Sequence, residues 1–156
     1  MKIKIIALGK IKEQFLKEGI TEFTKRLTPY VPFEIVELSP IEIKDENLTE
    51  KVLEEEGEKI LANIKPDSYV ITLEILGKQL SSEDFSVKIG EIINSGVSEL
   101  VFIIGSSCGL AKTVSERANF KLSFSKMTFL HQFARLILVE QIYRAFKIMK
   151  GETYHK

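Results

Sequence analysis

Hydrophobic residues recur along the chain with two spacings, one typical of buried strands and one typical of helices. Short apolar or alternating runs predict strands at Lys2 to Leu8, Phe33 to Leu38, Ser68 to Glu74, Glu99 to Ile104 and Lys121 to Ser125. Apolar residues three or four apart predict a first helix at Ile11 to Leu27 and a last one from about His131 to Lys150. Between them, a second helix has a capping-box-like start at Asn47-Leu48-Thr49-Glu50 and runs to about Ile64. A third has a cap at Ser81-Ser82-Glu83-Asp84 and ends near Asn94-Ser95-Gly96. This alternation predicts one α/β domain over residues 1–156, with a parallel sheet and helices on both faces.

The last predicted helix is apolar around nearly its whole circumference. Its apolar residues are Phe133, Ala134, Leu136, Ile137, Leu138, Val139, Ile142, Tyr143, Ala145, Phe146, Ile148 and Met149. A helix of this kind must be covered on two sides. One side can pack on the sheet, and a second copy of the chain would cover the other most economically, so we expect a two-fold homodimer.

The composition is that of a globular protein, with 44% hydrophobic and 28% charged residues. No apolar run approaches the length of a membrane span or of a signal-peptide core, so we expect a cytoplasmic protein with no membrane partner. The single cysteine, Cys108, has no partner for an internal disulfide and no Cys/His neighbours with metal-ligand spacing. The sequence therefore predicts neither a disulfide scaffold nor a metal site.

The net charge is zero, but the charges are unevenly distributed. Residues 1–116 hold 14 Lys/Arg and 20 Asp/Glu, a net of −6, whereas residues 117–156 hold 8 and 2, a net of +6. The C-terminal quarter is thus the candidate anion-binding part. The alternative is a basic last helix that complements its own dipole and pairs with the acidic remainder.

The loop Gly105-Ser106-Ser107-Cys108-Gly109 follows an apolar strand and should lie at the carboxyl edge of the sheet, where ligands usually bind. A phosphate-binding P-loop would need Gly-Lys-Ser/Thr where Leu110-Ala111-Lys112 stands, and a G-x-G-x-x-G fingerprint is absent. Nucleotide hydrolysis and nicotinamide chemistry therefore lose support. Taken alone, the loop is more simply a glycine turn between a strand and a helix.

Two further segments carry candidate chemistry: residues 122–132, and residues 140–144 together with the tail at residues 151–156. His131 is typical of a helix-capping or packed histidine, and Arg144 and Lys147 are typical of a solvated helix face. The tail Tyr154-His155-Lys156 is harder to explain structurally, because it combines a stacking ring, a titratable imidazole and a cation in a region where most chains fray.

The patterns FIIG-SSCGL, LSFSKMTF-HQ, R-x-x-L-x-E-Q-x-Y-R-A-x-K-I and YHK together resemble the RlmH-type pseudouridine methyltransferases of the SPOUT, or alpha/beta-knot, superfamily. The resemblance covers the whole chain and includes Thr72-Leu73-Glu74. It implies a C-terminal trefoil knot, a rare exception to the rule against knotted chains, and a homodimer. It also implies S-adenosylmethionine as the methyl donor and no metal.

The resemblance further implies that three loops hold S-adenosylmethionine in a bent conformation. Gly105 would admit close backbone approach, and apolar walls with backbone amides would hold the adenine edge. Two positions differ from the family pattern, with Ser106 where a second glycine is usual and Leu130 where proline is usual, which leaves the loop conformations open. The implied cofactor-binding residues are Leu73, Gly105, Phe124, Ser125, Lys126, Met127, Thr128 and Phe129.

The implied reaction is methyl transfer to N3 of pseudouridine 1915 in 23S rRNA, within the assembled 70S ribosome. Methylation at a pyrimidine carbon usually needs a cysteine that adds to the ring, whereas a ring nitrogen needs only loss of its proton and in-line approach. The lone Cys108 in the cofactor loop fits the second chemistry better. A chain that is not strongly basic and has no appended RNA-binding module is expected to need a large, shaped target.

We expect the catalytic residues to be Tyr154, His155, Arg144 and Glu140, with His155 and its neighbours reaching across the dimer to the base. Arg135, Arg144 and Lys156 are expected to bind phosphate or the developing anion, and Glu140 either accepts the proton or simply holds Arg144. The alternatives are a tRNA or ribose methyltransferase of the same superfamily and a non-catalytic dimeric ribosome-assembly factor.

Overall fold

The structure, a computed structural model, describes residues 1–42 and 45–154. Within these ranges the strands are β1 Lys2–Leu8, β2 Phe33–Leu38, β3 Tyr69–Gln79, β4 Glu99–Ile104 and β5 Phe120–Ser123. The α-helices are α1 Gln14–Leu27, α2 Thr49–Leu61, α3 Ser82–Asn94, α4 Lys112–Arg117 and α5 His131–Met149, and a 3-10 turn spans Glu46–Leu48. Two of the predicted site residues, His155 and Lys156, lie outside the described residues.

The five strands form one parallel sheet in the order β2-β1-β4-β3-β5. Alternate residues of β1 and β4 enter two separate cores, as the two-residue period of a strand requires. The larger core contains the inner faces of α1, α3 and α5, and the smaller one contains those of α2 and α4. The prediction of a parallel α/β sheet with helices on both faces is confirmed.

Most predicted boundaries agree with the structure, and the exceptions have local causes. The cap of α3 is confirmed, because the Ser81 hydroxyl accepts a hydrogen bond from the backbone N–H of Asp84 at 3.0 Å. The predicted capping box of α2 is wrong, since α2 begins at Thr49 with Leu48, which has no polar side chain, at the N-cap. Helix α4 was not predicted because its six residues are too few to show helical periodicity.

Strand β3 continues five residues beyond the predicted end and pairs twice with β5. Leu73 lies opposite Leu122, and after an interruption Lys78 also lies opposite Leu122. At Gly77, within this interruption, a Cβ atom would lie 2.7 Å from the carbonyl carbon of Leu122. Glycine therefore allows the backbone of β5 to pack directly against the extension of β3.

Helix α5 packs on the sheet between α1 and α3, so its own neighbours cover much of the surface that the sequence assigned to a second copy. Its outward side retains Phe133, which is 41% exposed and whose ring lies 5.8 Å from that of Phe15 on α1, itself 56% exposed. None of the described helices combines the length and apolar character needed to cross a membrane.

Candidate active site

A cavity of about 770 Å³ opens beside the interruption of β3 and at the ends of β4 and β5. Three chain segments form its walls, residues 73–76, 104–110 and 122–131 except 126, and Ala134 of α5 completes it. The first segment begins where the first paired part of β3 stops, at Leu73, and the other two begin at the ends of β4 and β5. The cavity therefore lies at the carboxyl edge of the sheet, as predicted. Its volume falls within the range of about 300–1,000 Å³ that is usual for small-molecule sites.

Seven of the eight predicted cofactor-binding residues line this cavity: Leu73, Gly105, Phe124, Ser125, Met127, Thr128 and Phe129. The eighth, Lys126, is exposed and is not part of the wall. The fold thus brings the three predicted loops together, although no ligand contact is described, and their cofactor role stays a prediction. Sequence reasoning did not select Glu74, Ser123 or His131, which also line the cavity.

The walls of the cavity are mostly apolar or neutral. Among the residues that the structure describes, the lining includes one carboxylate, Glu74, and neither lysine nor arginine. A site for a phosphate-bearing cofactor would normally offer cations or a phosphate-binding backbone loop. This lining fits a ligand with a positive charge and a flat aromatic ring, and S-adenosylmethionine, which carries a sulfonium and an adenine, is such a ligand.

The loop between Gly105 and Gly109 is a tight turn. A Cβ on Gly105 would lie 2.8 Å from the carbonyl carbon of Gly109 and closer still to its oxygen. Gly109 has a φ of +92°, and its backbone N–H donates to the carbonyl oxygen of Ser106 at 3.0 Å. Both glycines are therefore required by the loop itself, because a side chain would clash at Gly105 and strain the backbone at Gly109.

The side chain of Glu74 is fixed beside the cavity by two hydroxyl groups. The Thr72 hydroxyl donates to Oε1 at 2.7 Å, and the Ser115 hydroxyl, from α4, donates to Oε2 at 3.1 Å. The segment after Leu73 is thus connected to α4 across the smaller core. Glu74 belongs to the Thr72-Leu73-Glu74 motif of the sequence, but nothing in that motif indicated that the glutamate lines the cavity.

His131 lines the cavity at the first turn of α5. Burial lowers the pKa of its imidazole, and the positive charge of Arg135 lowers it further. The neutral imidazole is therefore favoured near neutral pH. A neutral ring agrees with a wall that would face a cationic ligand.

A separate polar cluster forms where the chain after α5 folds back on that helix. The Arg144 guanidinium donates to Glu140 Oε1 through Nε at 3.0 Å and through a terminal nitrogen at 2.6 Å. The Tyr154 hydroxyl donates to the same oxygen at 3.0 Å, and the Arg144 guanidinium lies 4.7 Å from the centre of the Tyr154 ring. The three predicted catalytic residues inside the described range therefore lie together.

The charges within this cluster stabilise one another. The hydrogen bond from Arg144 to Glu140 raises the pKa of Arg144. The pKa of Tyr154 is raised mainly by burial and further by its hydrogen bond to Glu140. The side-chain amide N–H of Gln141 also donates to Glu140 Oε2, at 2.8 Å. Because Glu140 already accepts from three side chains, this arrangement favours a role in holding Arg144 and Tyr154 over a role as proton acceptor.

Arg135 lies apart from both of these sites. Its side chain is 2% exposed and donates to Glu37 and, at 2.9 Å, to the carbonyl oxygen of Gly9. Burial lowers its pKa, while the hydrogen bond to Glu37 opposes that shift. It lines a second cavity of about 430 Å³ with Lys10 and Lys17. In this position Arg135 connects α5 to β1 and β2.

The parallel α/β fold places a mostly neutral cavity at the carboxyl edge of its sheet, a position typical of α/β proteins that bind small molecules. Residues 1–155 match a family model described as "Predicted SPOUT methyltransferase", and the chain belongs to this family. A curated relative, ribosomal RNA large subunit methyltransferase H of Carboxydothermus hydrogenoformans (strain ATCC BAA-161 / DSM 6008 / Z-2901), is 56% identical over 160 residues. That alignment covers all of both chains. The resemblance predicted from the sequence is confirmed.

Proposed function

We propose that this protein uses S-adenosylmethionine to methylate N3 of pseudouridine 1915 in 23S rRNA of the assembled 70S ribosome. The observation that carries the proposal is the 56% identity, over both full lengths, to a protein named as a large-subunit ribosomal RNA methyltransferase. An enzyme with this target would act in the cytoplasm.

The cofactor proposal is supported by the cavity. When bound, S-adenosylmethionine supplies an electrophilic methyl group. The apolar side chains of Leu73, Leu110 and Leu122 offer walls for an adenine ring, and Glu74 gives the wall the charge that a sulfonium favours. Neither the closed turn at residues 105–109 nor the neutral His131 places a positive charge at this wall.

The substrate side of the site is proposed to be the cluster of Glu140, Arg144 and Tyr154, with His155 and Lys156 beyond it. Glu140 orients Arg144 and Tyr154, and Arg144 offers a fixed positive charge to an RNA phosphate or to a base that is losing its N3 proton. We propose His155 as the group that assists this proton loss, and Lys156 as a second anion contact. For Arg135, burial favours an indirect part, in which it holds α5 in place.

A homodimer would complete this site. None of the residues Glu140, Arg144 and Tyr154 lines the cavity. A base that reacts with the cofactor must therefore contact both the cavity and this cluster. Exposed apolar side chains lie near the cavity mouth and on the adjacent helices, including Phe15, Met127, Phe129, Leu130 and Phe133. A second copy that covered them would place its own tail beside the first copy's cavity.

The proposal includes a knot in the C-terminal part of the chain. Strand β5 pairs with β3 on either side of the interruption at residues 74–77, and Gly77 allows the two backbones to touch. This close packing of β3 against β5 supports the proposal that the C-terminal part of the chain is threaded.

Transfer of a tritiated methyl group from S-adenosylmethionine tests the function. The substrates are 70S ribosomes, isolated large subunits, free 23S rRNA and tRNA from cells that lack this protein, with the labelled nucleoside identified by mass spectrometry. We expect N3-methylpseudouridine in 23S rRNA from 70S ribosomes. Label in tRNA or on a ribose would overturn the substrate, and cofactor binding without any label would favour a non-catalytic assembly factor.

A further inference from the structure

Glu56 of α2 is a buried carboxylate that plays no part in the sites described above. Its side chain is 2% exposed, and its two oxygens connect two loops. Oε1 accepts from the backbone N–H of Ile41 at 3.0 Å, and Oε2 accepts from the Ser106 hydroxyl at 3.1 Å. Because a buried carboxylate is costly without hydrogen bonds, both loops are held where they can supply them.

Close packing fixes Glu56 relative to the cofactor loop. At Gly57, the next residue, a Cβ would lie 2.7 Å from the Cβ of Ala111 and 3.4 Å from the side chain of Val114. Helix α2 therefore packs directly on the start of α4, immediately after the loop at residues 105–109. The distance between Glu56 and Ser106 is set by this helix contact as well as by the hydrogen bond.

Ser106 is the residue through which Glu56 can act on the cavity. Ser106 lines the cavity, whereas Glu56 does not. The Ser106 carbonyl accepts from the N–H of Gly109 and thereby closes the turn, and its hydroxyl makes a longer contact, 3.4 Å, with the N–H of Cys108. A glycine at position 106 would offer no hydroxyl to Glu56, so this connection depends on the serine of this chain.

We propose that Glu56 is a positioning residue that holds the turn at residues 105–109 in its cofactor-binding shape through Ser106, and couples it to the segment at Ile41. The inference rests on the proposed function, because it assumes that the cavity binds S-adenosylmethionine. It predicts that loss of either side chain loosens the turn before any ligand is present.

The test uses Ser106→Ala and Glu56→Gln, with Ser68→Ala as the matched control. Ser68 donates to the buried carboxylate of Glu99 at 2.7 Å, a similar bond at the amino edge of the sheet, away from the cavity. Hydrogen exchange of the Gly109 amide is measured without ligand, and S-adenosylmethionine affinity is measured by calorimetry. Both site variants should exchange faster at Gly109. Ser106→Ala loses one hydrogen bond to a charged group and should bind about tenfold more weakly, whereas Glu56→Gln, whose amide makes only a neutral bond to Ser106, should bind more weakly by a smaller factor.

The outcomes separate a positioning role from a structural one. Ser68→Ala should lower the melting temperature without changing the cofactor affinity. The double variant Glu56→Gln/Ser106→Ala should bind S-adenosylmethionine no more weakly than the weaker-binding single variant, because the two residues act through one bond. Unchanged exchange at Gly109 and unchanged affinity in Glu56→Gln would overturn the inference. If the unmodified protein binds no S-adenosylmethionine, the proposed function fails instead.

Discussion

Removal of one oxygen atom, in Tyr154→Phe, should separate catalysis from cofactor binding. The substitution deletes the hydroxyl that donates to Glu140 at 3.0 Å but keeps the ring contacts with Tyr143, at 4.9 Å between ring centres, and with Arg144. A hydrogen bond to a charged group contributes roughly 1.5–3 kcal/mol when buried. Tyr154 is only half-buried, so the low end applies, and about 1.5 kcal/mol corresponds to about a tenfold change in rate.

The assay is methyl transfer to 70S ribosomes together with calorimetric binding of S-adenosylmethionine. We expect kcat to fall about tenfold because the tail is less firmly held, while the cofactor Kd stays the same because Tyr154 does not line the cavity. Tyr69→Phe, which removes a phenol oxygen at the start of β3, is the control and should leave both values unchanged. The reasoning is refuted if Tyr154→Phe has normal kcat, or if its cofactor affinity falls as far as its rate.

Three further predictions follow, two from His131 and one from Gly90. Burial lowers the pKa of His131 from its ordinary value of 6.5, so S-adenosylmethionine affinity should fall as the pH drops below 6.5 and the protonated ring adds a positive charge to the wall. In the same titration, His131→Gln should bind with little pH dependence. The stability that the neutral His131 contributes is full above its unfolded pKa of 6.5 and is lost as the pH falls through its lower folded value, so pH-dependent denaturant unfolding should show a smaller acid loss in His131→Gln. Gly90→Ala in α3 should raise the melting temperature by about 2–4 °C in a thermal scan, because alanine favours a helix more than glycine does. The added Cβ would meet only Met149 Sδ, at an ordinary contact distance of 3.5 Å. A lower melting temperature would contradict this prediction.

The sequence predicted most of the fold because burial follows the hydrophobic pattern. Strand β4 is buried at all six positions and is apolar without a break after Glu99, and its predicted and observed limits coincide. The extension of β3 beyond Glu74 could not be predicted in the same way. Residues 75 and 76 are exposed apolar side chains in an interruption, and the second pairing depends on the position of β5, which is distant in sequence.

The candidate site shows the same division between local and long-range information. The cavity-lining loops were found because each follows a strand and resembles a family motif. The environments of Arg135 and Glu56 were not predictable, because both are set by partners far along the chain: Arg135 by Glu37 and Glu56 by Ser106. On sequence alone, Arg135 was expected to bind phosphate or the developing anion.

The central claim, that the cavity at the carboxyl edge of the sheet binds S-adenosylmethionine, is tested most directly by calorimetric titration of the ligand into the unmodified protein and Gly105→Ala. The added Cβ would clash with the backbone of Gly109, and such overpacking costs about 1–3 kcal/mol, so affinity should fall about tenfold or more. Gly96→Ala, which strains a φ of +81° in open space away from the cavity, is the control and should bind normally. We predict one binding site per chain, weakened in Gly105→Ala alone; absence of binding, or equal affinity in Gly105→Ala, would contradict the account.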